Sequence, residues 1–203
     1  PGEDGAVQRE LDKLNIPYNG SGTASSSVTI NKFETNKILR ENGVLVANHL
    51  LLLEEKWIEN QANCLVEIET NLSFPLIAKP ADDGCSSAVK KINNQEELIA
   101  FIRLMFRTSE ELMEQEANLL KLSPNEEFPQ KEAVLLEELI SSNGASHFIE
   151  ITGGLLTKQT NNEVEFEIFE PSEALASGDI LSSVSYTHLR AHETDSYLVC
   201  RLL

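Results

Sequence analysis

A lysine ends an apolar run and is followed by small residues in the segment FPLIAKPADDGCSSAVKKI, residues 74–92. The amine of Lys79 is costly to bury, so it should reach a partner or water. The loop at residues 83–87 offers several backbone N–H groups with little side chain in the way. Such amides can form a concave anion site, and Lys79 would add a point charge to the same anion. The pattern predicts a nucleotide-phosphate site; a plain hairpin turn beside an exposed lysine is the alternative.

The bulk composition limits the classes of function. The chain has 203 residues and a net charge of −17, from 33 acidic and 16 basic residues. Its length suits one good-sized domain or two small ones. A surface this negative repels a phosphate backbone, so we expect no general nucleic-acid binding. The longest apolar run, around residues 50–53, is too short to span a bilayer, so we expect no membrane partner.

The cysteines indicate a reducing compartment. Cys64, Cys85 and Cys200 are few, and no pair has metal-ligand spacing. They are typical of reduced thiols rather than of a disulfide framework. The sequence therefore predicts a cytoplasmic protein.

The first half of the chain predicts two helices and three strands. Residues 2–14 are polar and helix-forming, and Asn31 with Glu34 resembles a capping box that begins a helix ending near Gly43. Residues 44–53, 74–79 and 87–92 are typical of strands.

The second half predicts further helices and late antiparallel strands. Asn94 and Glu97 begin a helix whose apolar face is Leu98, Phe101, Ile102 and Met105. We expect another helix over residues 108–121 and a short buried strand over residues 133–137. HFIEITGGLLTK and EVEFEIFE predict antiparallel strands, the first two joined at Gly153-Gly154. The fold class is therefore mixed α/β (α+β) rather than a strictly alternating parallel fold.

The last segment, residues 184–203, differs from the acidic, strand-like pattern before it. It resembles translated read-through sequence at the ends of gene fragments, so we exclude it as an expected artefact; a real C-terminal helix is the alternative. His188 and His192 lie in it with metal-like HxxxH spacing, and we reject that site with the segment. Because the sequence begins at Pro1, we also expect the true N-terminus to be missing.

Several motifs occur in one order along the chain: GEDG, PYNGSG, Asn31-Lys32, FPLIAKP, DGCSSA and VLLEELI. This ordered set resembles the D-alanine–D-alanine ligase family of ATP-grasp enzymes over most of residues 2–183. The resemblance implies the end of an N-terminal α/β domain at residues 1–30. It also implies a partial ATP-grasp first lobe at residues 31–183, with a mixed or antiparallel sheet and flanking helices.

The resemblance implies a phosphate site. Lys32 and Lys79 match the two lysines that contact ATP phosphates, and Gly84, Ser86 and Ser87 lie in the small-residue loop that folds over them. As the structural alternative, Lys32 is an ordinary solvated lysine in the first turn of a helix.

The resemblance also implies residues around the adenine, the ribose and the amino-acid substrate. Glu137 matches the acid near the adenine amino group, and Glu138 with Leu139 matches the linker that reads the adenine edge. The other matched positions are His147 at the ribose, Cys85 near the amino acid, and Glu3 with Asp4 in the GEDG turn on the substrate side. The implied catalytic set is Glu3, Cys85 and Ser86. These matched positions also have structural alternatives. Glu137 could be a strand-end acid and His147 a structural histidine. Cys85 could be a small buried thiol, and Glu3 with Asp4 could be acids at a helix N-terminus.

The function implied is ATP-dependent ligation for peptidoglycan precursors. ATP would phosphorylate D-alanine, and the amine of a second D-amino acid would attack the acyl phosphate. The resemblance implies ATP and Mg²⁺ as cofactors, with the metal ligands expected beyond Ser183. We expect residues 1–203 alone not to complete the reaction, and the full-length protein is a candidate homodimer.

Some residues depart from the family pattern. Cys85 replaces a serine, Ala88 a glycine and His147 a glutamate, and the acidic segment at residues 108–130 is long. These departures leave two alternatives: another ATP-grasp carboxylate–amine ligase, and a non-catalytic acidic α/β binding module.

Overall fold

The computed structural model describes residues 2–84, 86–124, 126–142, 144, 146, 149–160 and 163–174, which form two compact units. The first unit comprises the described residues up to Ile140, and the second those from Ser141 onward. The domain boundary between residues 30 and 31 stays a prediction.

The first unit contains seven helices and four strands among its described residues. The helices are α1 (Ala6–Lys13), α2 (Thr23–Ile30), α3 (Lys32–Glu41), α4 (Glu54–Glu59), α5 (Gln61–Asn71), α6 (Gln95–Met105) and α7 (Glu114–Leu119). The strands are β1 (His49–Leu53), β2 (Leu76–Pro80), β3 (Lys90–Ile92) and β4 (Ala133–Glu138). The strands form one sheet in the order β1-β4-β2-β3, and each neighbouring pair is antiparallel.

The sheet has an inner face that forms the core and an outer face that bears charged residues. Because successive side chains of a strand point to opposite faces, the register assigns each residue to one of them. The inner face comprises Leu50, Leu52, Leu76, Ala78, Ile92, Val134 and Leu136, which pack with residues of α5 and α6. The outer face comprises His49, Leu51, Ile77, Lys79, Leu135 and Glu137.

Helix α6 confirms the sequence prediction. The Asn94 side chain accepts a hydrogen bond from the backbone N–H of Glu97 at 2.9 Å, which satisfies one of the free donors of the first turn. Leu98, Phe101, Ile102 and Met105 are all fully buried, as the helical spacing predicts. The cap and the apolar stripe together explain why the helix begins and packs here.

Helix α3 also begins and ends as predicted. The Asn31 side chain accepts from the Glu34 N–H at 3.1 Å, and Gly43, with φ at 78°, follows the C-terminus. Phe33 on this helix packs edge-to-face against His49 of β1, with ring centroids 5.6 Å apart. Helix α3 therefore lies beside the outer face of the sheet.

Three predicted elements are shorter in the structure than their sequence patterns. Residues 44–48 are not part of β1, and Leu45 is 98% exposed, because the partner strand β4 ends at Glu138, whose N–H donates to the Asn48 carbonyl. Residues 87–89 are not part of β3, since Ser86 and Ala88 adopt positive φ values of 52° and 49°. The helix expected over residues 108–121 reduces to α7, because the Ser109 hydroxyl accepts the Glu111 N–H in a local turn that competes with helix.

The second unit consists of β5 (Glu150–Thr152), β6 (Leu155–Thr160), β7 (Glu163–Ile168) and β8 (Ser172–Ala174). β5 and β6 are joined at Gly153-Gly154 as predicted, and the strands are antiparallel, but the two joined strands do not pair with each other: β5 pairs with β8 and β6 pairs with β7. The β6–β7 register joins six residue pairs, whereas β5 is only three residues long. The longer match therefore forms the inner hairpin, and the glycines connect it to the outer pair.

Candidate functional site

Lys79 and Glu137 meet on the outer face of the sheet. Lys79 lies opposite Leu135 and Glu137 lies opposite Ile77, so the two charged residues are diagonal neighbours on β2 and β4. The Lys79 ammonium forms an ion pair with Oε2 of Glu137. The two side chains are only 19% and 12% exposed. The lysine at the strand end therefore has a charged partner, and two residues predicted for one site lie together.

Asn36 completes this pair and was not predicted. Its Nδ2 donates to Oε1 of Glu137 at 2.9 Å, so both carboxylate oxygens of Glu137 have partners. Asn36 lies one turn after Lys32 on α3 and therefore on the same helix face. That spacing is the sequence signal that could have identified it.

Lys32 connects α3 to the small-residue loop. Its backbone N–H donates to the carbonyl of Ala81 at 2.8 Å, and its ammonium donates to the carbonyl of Asp83. The pKa of Lys32 is lowered from its ordinary value of 10.5, first by burial and next by the charge of Lys79. Asp83 and Asp82 act in the opposite direction, and Lys131 lowers the pKa further. An anion that replaced water here would favour the charged form of Lys32.

The small-residue loop is a tight turn. The Ser87 N–H donates to the Gly84 carbonyl at 3.0 Å, and the Gly84 N–H donates to Oδ1 of Asp83 at 2.9 Å. Ser86 has a positive φ, and Ser87 is buried. The turn of the structural alternative is thus present, and an anion would have to compete for these two amides. Cys85 lies outside the described residues.

Glu3 lies against this loop. A Cβ atom at Gly84 would overlap Oε2 of Glu3, so the Glu3 carboxylate lies directly on this glycine. Asp4 is used differently: its Oδ1 accepts the Ala6 N–H at 3.0 Å, and its carbonyl accepts the Ser27 hydroxyl at 2.9 Å. The GEDG turn therefore places one carboxylate at the loop and uses the other at the start of α1.

Glu138 and Leu139 follow Glu137 along the chain. Glu138 points to the side of the strand opposite Glu137, where its Oε2 accepts from Asn48 Nδ2 at 3.0 Å. Its backbone N–H donates to the Asn48 carbonyl at 2.8 Å, and Leu139 is half-buried after the strand ends. His147 lies outside the described residues. Contact of Glu138, Leu139 and His147 with a nucleotide stays a prediction.

Lys131 was also missed by the sequence reasoning. Its ammonium contacts Asp82 and Asp83, the two acids that precede Gly84. A lysine after a proline-containing loop has no spacing or composition that would single it out. Only the fold brings it to the site.

The described residues do not offer a magnesium site. Within this part of the chain, no group of three or more His, Cys, Asp or Glu residues could hold a metal ion. Of the carboxylates near the loop, Asp82 and Asp83 are paired with Lys131. In the same residues, no helix is long and apolar enough to cross a bilayer.

Sequence comparison identifies relatives of part of the chain. Residues 38–122 match the family model for the D-ala D-ala ligase C-terminus. The D-alanine–D-alanine ligase of Natranaerobius thermophilus is 43% identical over 103 residues, which are 51% of this chain and 28% of that protein.

Solved structures share the fold. The VanG D-Ala:D-Ser ligase of Enterococcus faecalis has a TM-score of 0.63 at 22% identity, over 98% of this chain and 44% of that one. The D-alanine–D-alanine ligase of Bacillus anthracis, solved in complex with ATP, has a TM-score of 0.50 at 24% identity, over 83% of this chain and 49% of that one. The chain thus spans less than half the length of each of these three proteins. Over residues 38–122 the chain is therefore similar in sequence to D-alanine–D-alanine ligases, and it shares the ATP-grasp fold of the solved ligases.

Proposed function

We propose that this chain supplies the nucleotide-binding lobe of an ATP-dependent D-alanine–D-alanine ligase acting in peptidoglycan precursor synthesis. The observation that carries the proposal is that the Lys32 ammonium contacts the Asp83 carbonyl, directly before Gly84, and lies close enough to Lys79 for the charge of Lys79 to lower its pKa. The family match over residues 38–122 supports the same reaction class.

In the proposed reaction, a carboxylate oxygen of D-alanine attacks the γ-phosphorus of ATP, and ADP leaves. The amine of the second D-alanine then attacks the carbonyl carbon of the acyl phosphate. Phosphate leaves, the amine loses a proton, and an amide bond remains. Such catalysis depends mainly on positioning and on neutralising phosphate charge.

Lys32 and Lys79 are the residues of this chain that supply positive charge to the phosphates. Lysine serves as a point charge for phosphate, and burial strengthens the attraction. Lys79 is held by Glu137, so ATP binding would exchange part of that ion pair for phosphate contacts. Glu137 retains acceptor capacity for an adenine amino group, because an ionised carboxylate has about four lone-pair sites.

The remaining assignments complete the proposal. Gly84, Ser86 and Ser87 would cover the phosphates, Glu138 and Leu139 would lie at the adenine, and Glu3 would lie on the substrate side. We further propose D-alanine as substrate, a cytoplasmic location, and Mg²⁺ held by residues outside those described here. A different second substrate is the alternative, because the solved relative VanG is a D-Ala:D-Ser ligase.

ATP titration of the full chain tests the proposal. We expect calorimetry to detect ATP binding by the unmodified chain and Lys79→Met to weaken it at least about tenfold, the loss of one charge-assisted contact. Lys37→Met is the matched control, because Lys37 lies on α3 and is 55% exposed, and its substitution removes the same charge.

The comparison has three decisive results. Binding that is lost in Lys79→Met and kept in Lys37→Met supports a nucleotide site. Equal weakening in both variants would indicate only general electrostatics. A correctly folded chain without ATP affinity would favour a non-catalytic binding module.

A further inference from the structure

We propose that Lys131 is a positioning residue that acts through Asp82 and Asp83: it neutralises the charge of this turn, and so sets the affinity of the adjacent loop for nucleotide phosphates. This inference rests on the proposed function, because it requires phosphates to bind beside that turn. Lys131 matches none of the motifs on which the family resemblance is based.

The side chain of Lys131 contacts both acids of the turn. Its ammonium lies 3.2 Å from Oδ1 of Asp82 and 3.6 Å from Oδ2 of Asp83. It also donates to the Asp82 carbonyl at 3.3 Å. Lys131 is 21% exposed, so its charge is screened by water less than that of a free surface lysine.

The backbone at Lys131 is fixed by the core. Phe128 is buried and packs edge-to-face on Phe101, with ring centroids 5.3 Å apart. The Arg107 guanidinium donates to the Phe128 carbonyl at 2.8 Å. The Lys131 N–H then donates to the Met105 carbonyl at 3.0 Å, at the end of α6. The ammonium of Lys131 therefore extends from a rigid support.

The turn that Lys131 contacts is also the turn that Lys32 contacts. Lys32 donates to the Asp83 carbonyl, and the Gly84 N–H donates to the Asp83 carboxylate. Two lysines thus hold one turn, and Gly84 follows it directly. Movement of this turn would move both the loop and the partner of Lys32.

The charges of Asp82 and Asp83 oppose the proposed ligand. Two carboxylates beside a triphosphate repel it, and the chain is already strongly acidic. Lys131 offsets this repulsion, because it lies within ion-pair distance of both acids. Without Lys131, the same loop would present a negative edge to the phosphates.

The test compares ATP dissociation constants of full-chain variants by calorimetry. We expect Lys131→Met to weaken ATP binding about fivefold, the effect of one partly exposed charge pair. Lys131→Arg should stay within about twofold of the unmodified chain, because the charge remains. Lys37→Met, which changes net charge equally, should have no effect.

Removing the acids distinguishes the electrostatic role from a purely structural one. Combining Lys131→Met with Asp82→Asn and Asp83→Asn should restore ATP affinity, because the repulsion is gone. A triple variant as weak as Lys131→Met would overturn the proposal. The double variant Asp82→Asn, Asp83→Asn, with Lys131 retained, should bind ATP more tightly than the unmodified chain. This variant tests the proposal even where Lys131→Met fails to fold. Unchanged or weaker ATP binding by the double variant would overturn the proposal.

Failure of this inference is separable from failure of the proposed function. An unmodified chain that binds ATP while Lys131→Met binds equally well overturns only the role of Lys131. A folded, unmodified chain that binds no ATP overturns both.

Discussion

Lys79 and Glu137, on adjacent antiparallel strands, form a partly buried ion pair on the outer face of the sheet. The pair joins a residue predicted for the phosphates to one predicted for the adenine. Asn36 fixes the second carboxylate oxygen from α3. Lys79 and Asn36 together contact both carboxylate oxygens of Glu137, so the protein's own contacts orient these side chains.

Glu137→Gln should destabilise the protein by about 1–3 kcal/mol, because it leaves the Lys79 ammonium without its charged partner. Urea unfolding of the full chain measures the change. Glu138→Gln is the control, since Glu138 is exposed on the other side of the same strand. Equal effects of the two substitutions would contradict an energetic role for the ion pair.

The lowered pKa of Lys32 predicts that ATP affinity depends on pH. Burial and Lys79 lower its pKa from 10.5 in the free protein, whereas bound phosphate favours its charged form. ATP binding should therefore take up a proton above the lowered pKa, and affinity should fall as pH rises through that value. Lys32→Arg should remove this fall, because arginine stays protonated. Identical pH profiles of the two proteins would show that Lys32 does not face the phosphates.

Asn36→Ala should cost about 1 kcal/mol of folding free energy, since it removes one hydrogen bond to a charged acceptor. The effect should largely vanish in a Glu137→Ala background, which removes the acceptor, and a double-mutant cycle in urea measures this. Asn71→Ala serves as the control, because its amide bonds only a carbonyl of its own helix. Additive Asn36 and Glu137 substitutions would mean that the two side chains act independently.

Gly84→Ala should displace the Glu3 carboxylate from the loop at little cost, because the added Cβ overlaps only the end of this exposed, flexible side chain. Thermal unfolding should show a small loss of stability, which disappears when Glu3→Ala is added. Gly153→Ala has open space around its Cβ and should be nearly neutral. If the Glu3 substitution gives no relief, the contact between the GEDG turn and the loop is not the cause.

Local patterns predicted the elements better than they predicted the contacts. The Asn94 cap and the apolar stripe of α6 depend on neighbours within two turns, so sequence spacing was sufficient. The Lys79–Glu137 pair depends on the β2–β4 register, which no short segment specifies. The strand predicted over residues 44–53 ends where the structure has it, but it begins later, at His49. The apolar sequence pattern extends toward the N-terminus beyond the residues that pair with β4.

The sequence predicted some residues of the candidate site but not the contacts between them. Lys32 and Lys79 were singled out, but Asn36 and Lys131 reach the site only through α3 packing and the core anchored by Phe128. The connection at Gly153-Gly154 was predicted correctly, but the strand pairing was not predictable, because a glycine pair marks a turn regardless of which strands pair.

A crystal structure of the full chain with a non-hydrolysable ATP analogue tests the central claim most directly. We expect Nζ of Lys32 and Nζ of Lys79 to lie within about 2.7–3.2 Å of phosphate oxygens, at the loop that begins with Gly84. Phosphates bound elsewhere, with Lys79 still on Glu137 and Lys32 still on the Asp83 carbonyl, would contradict it.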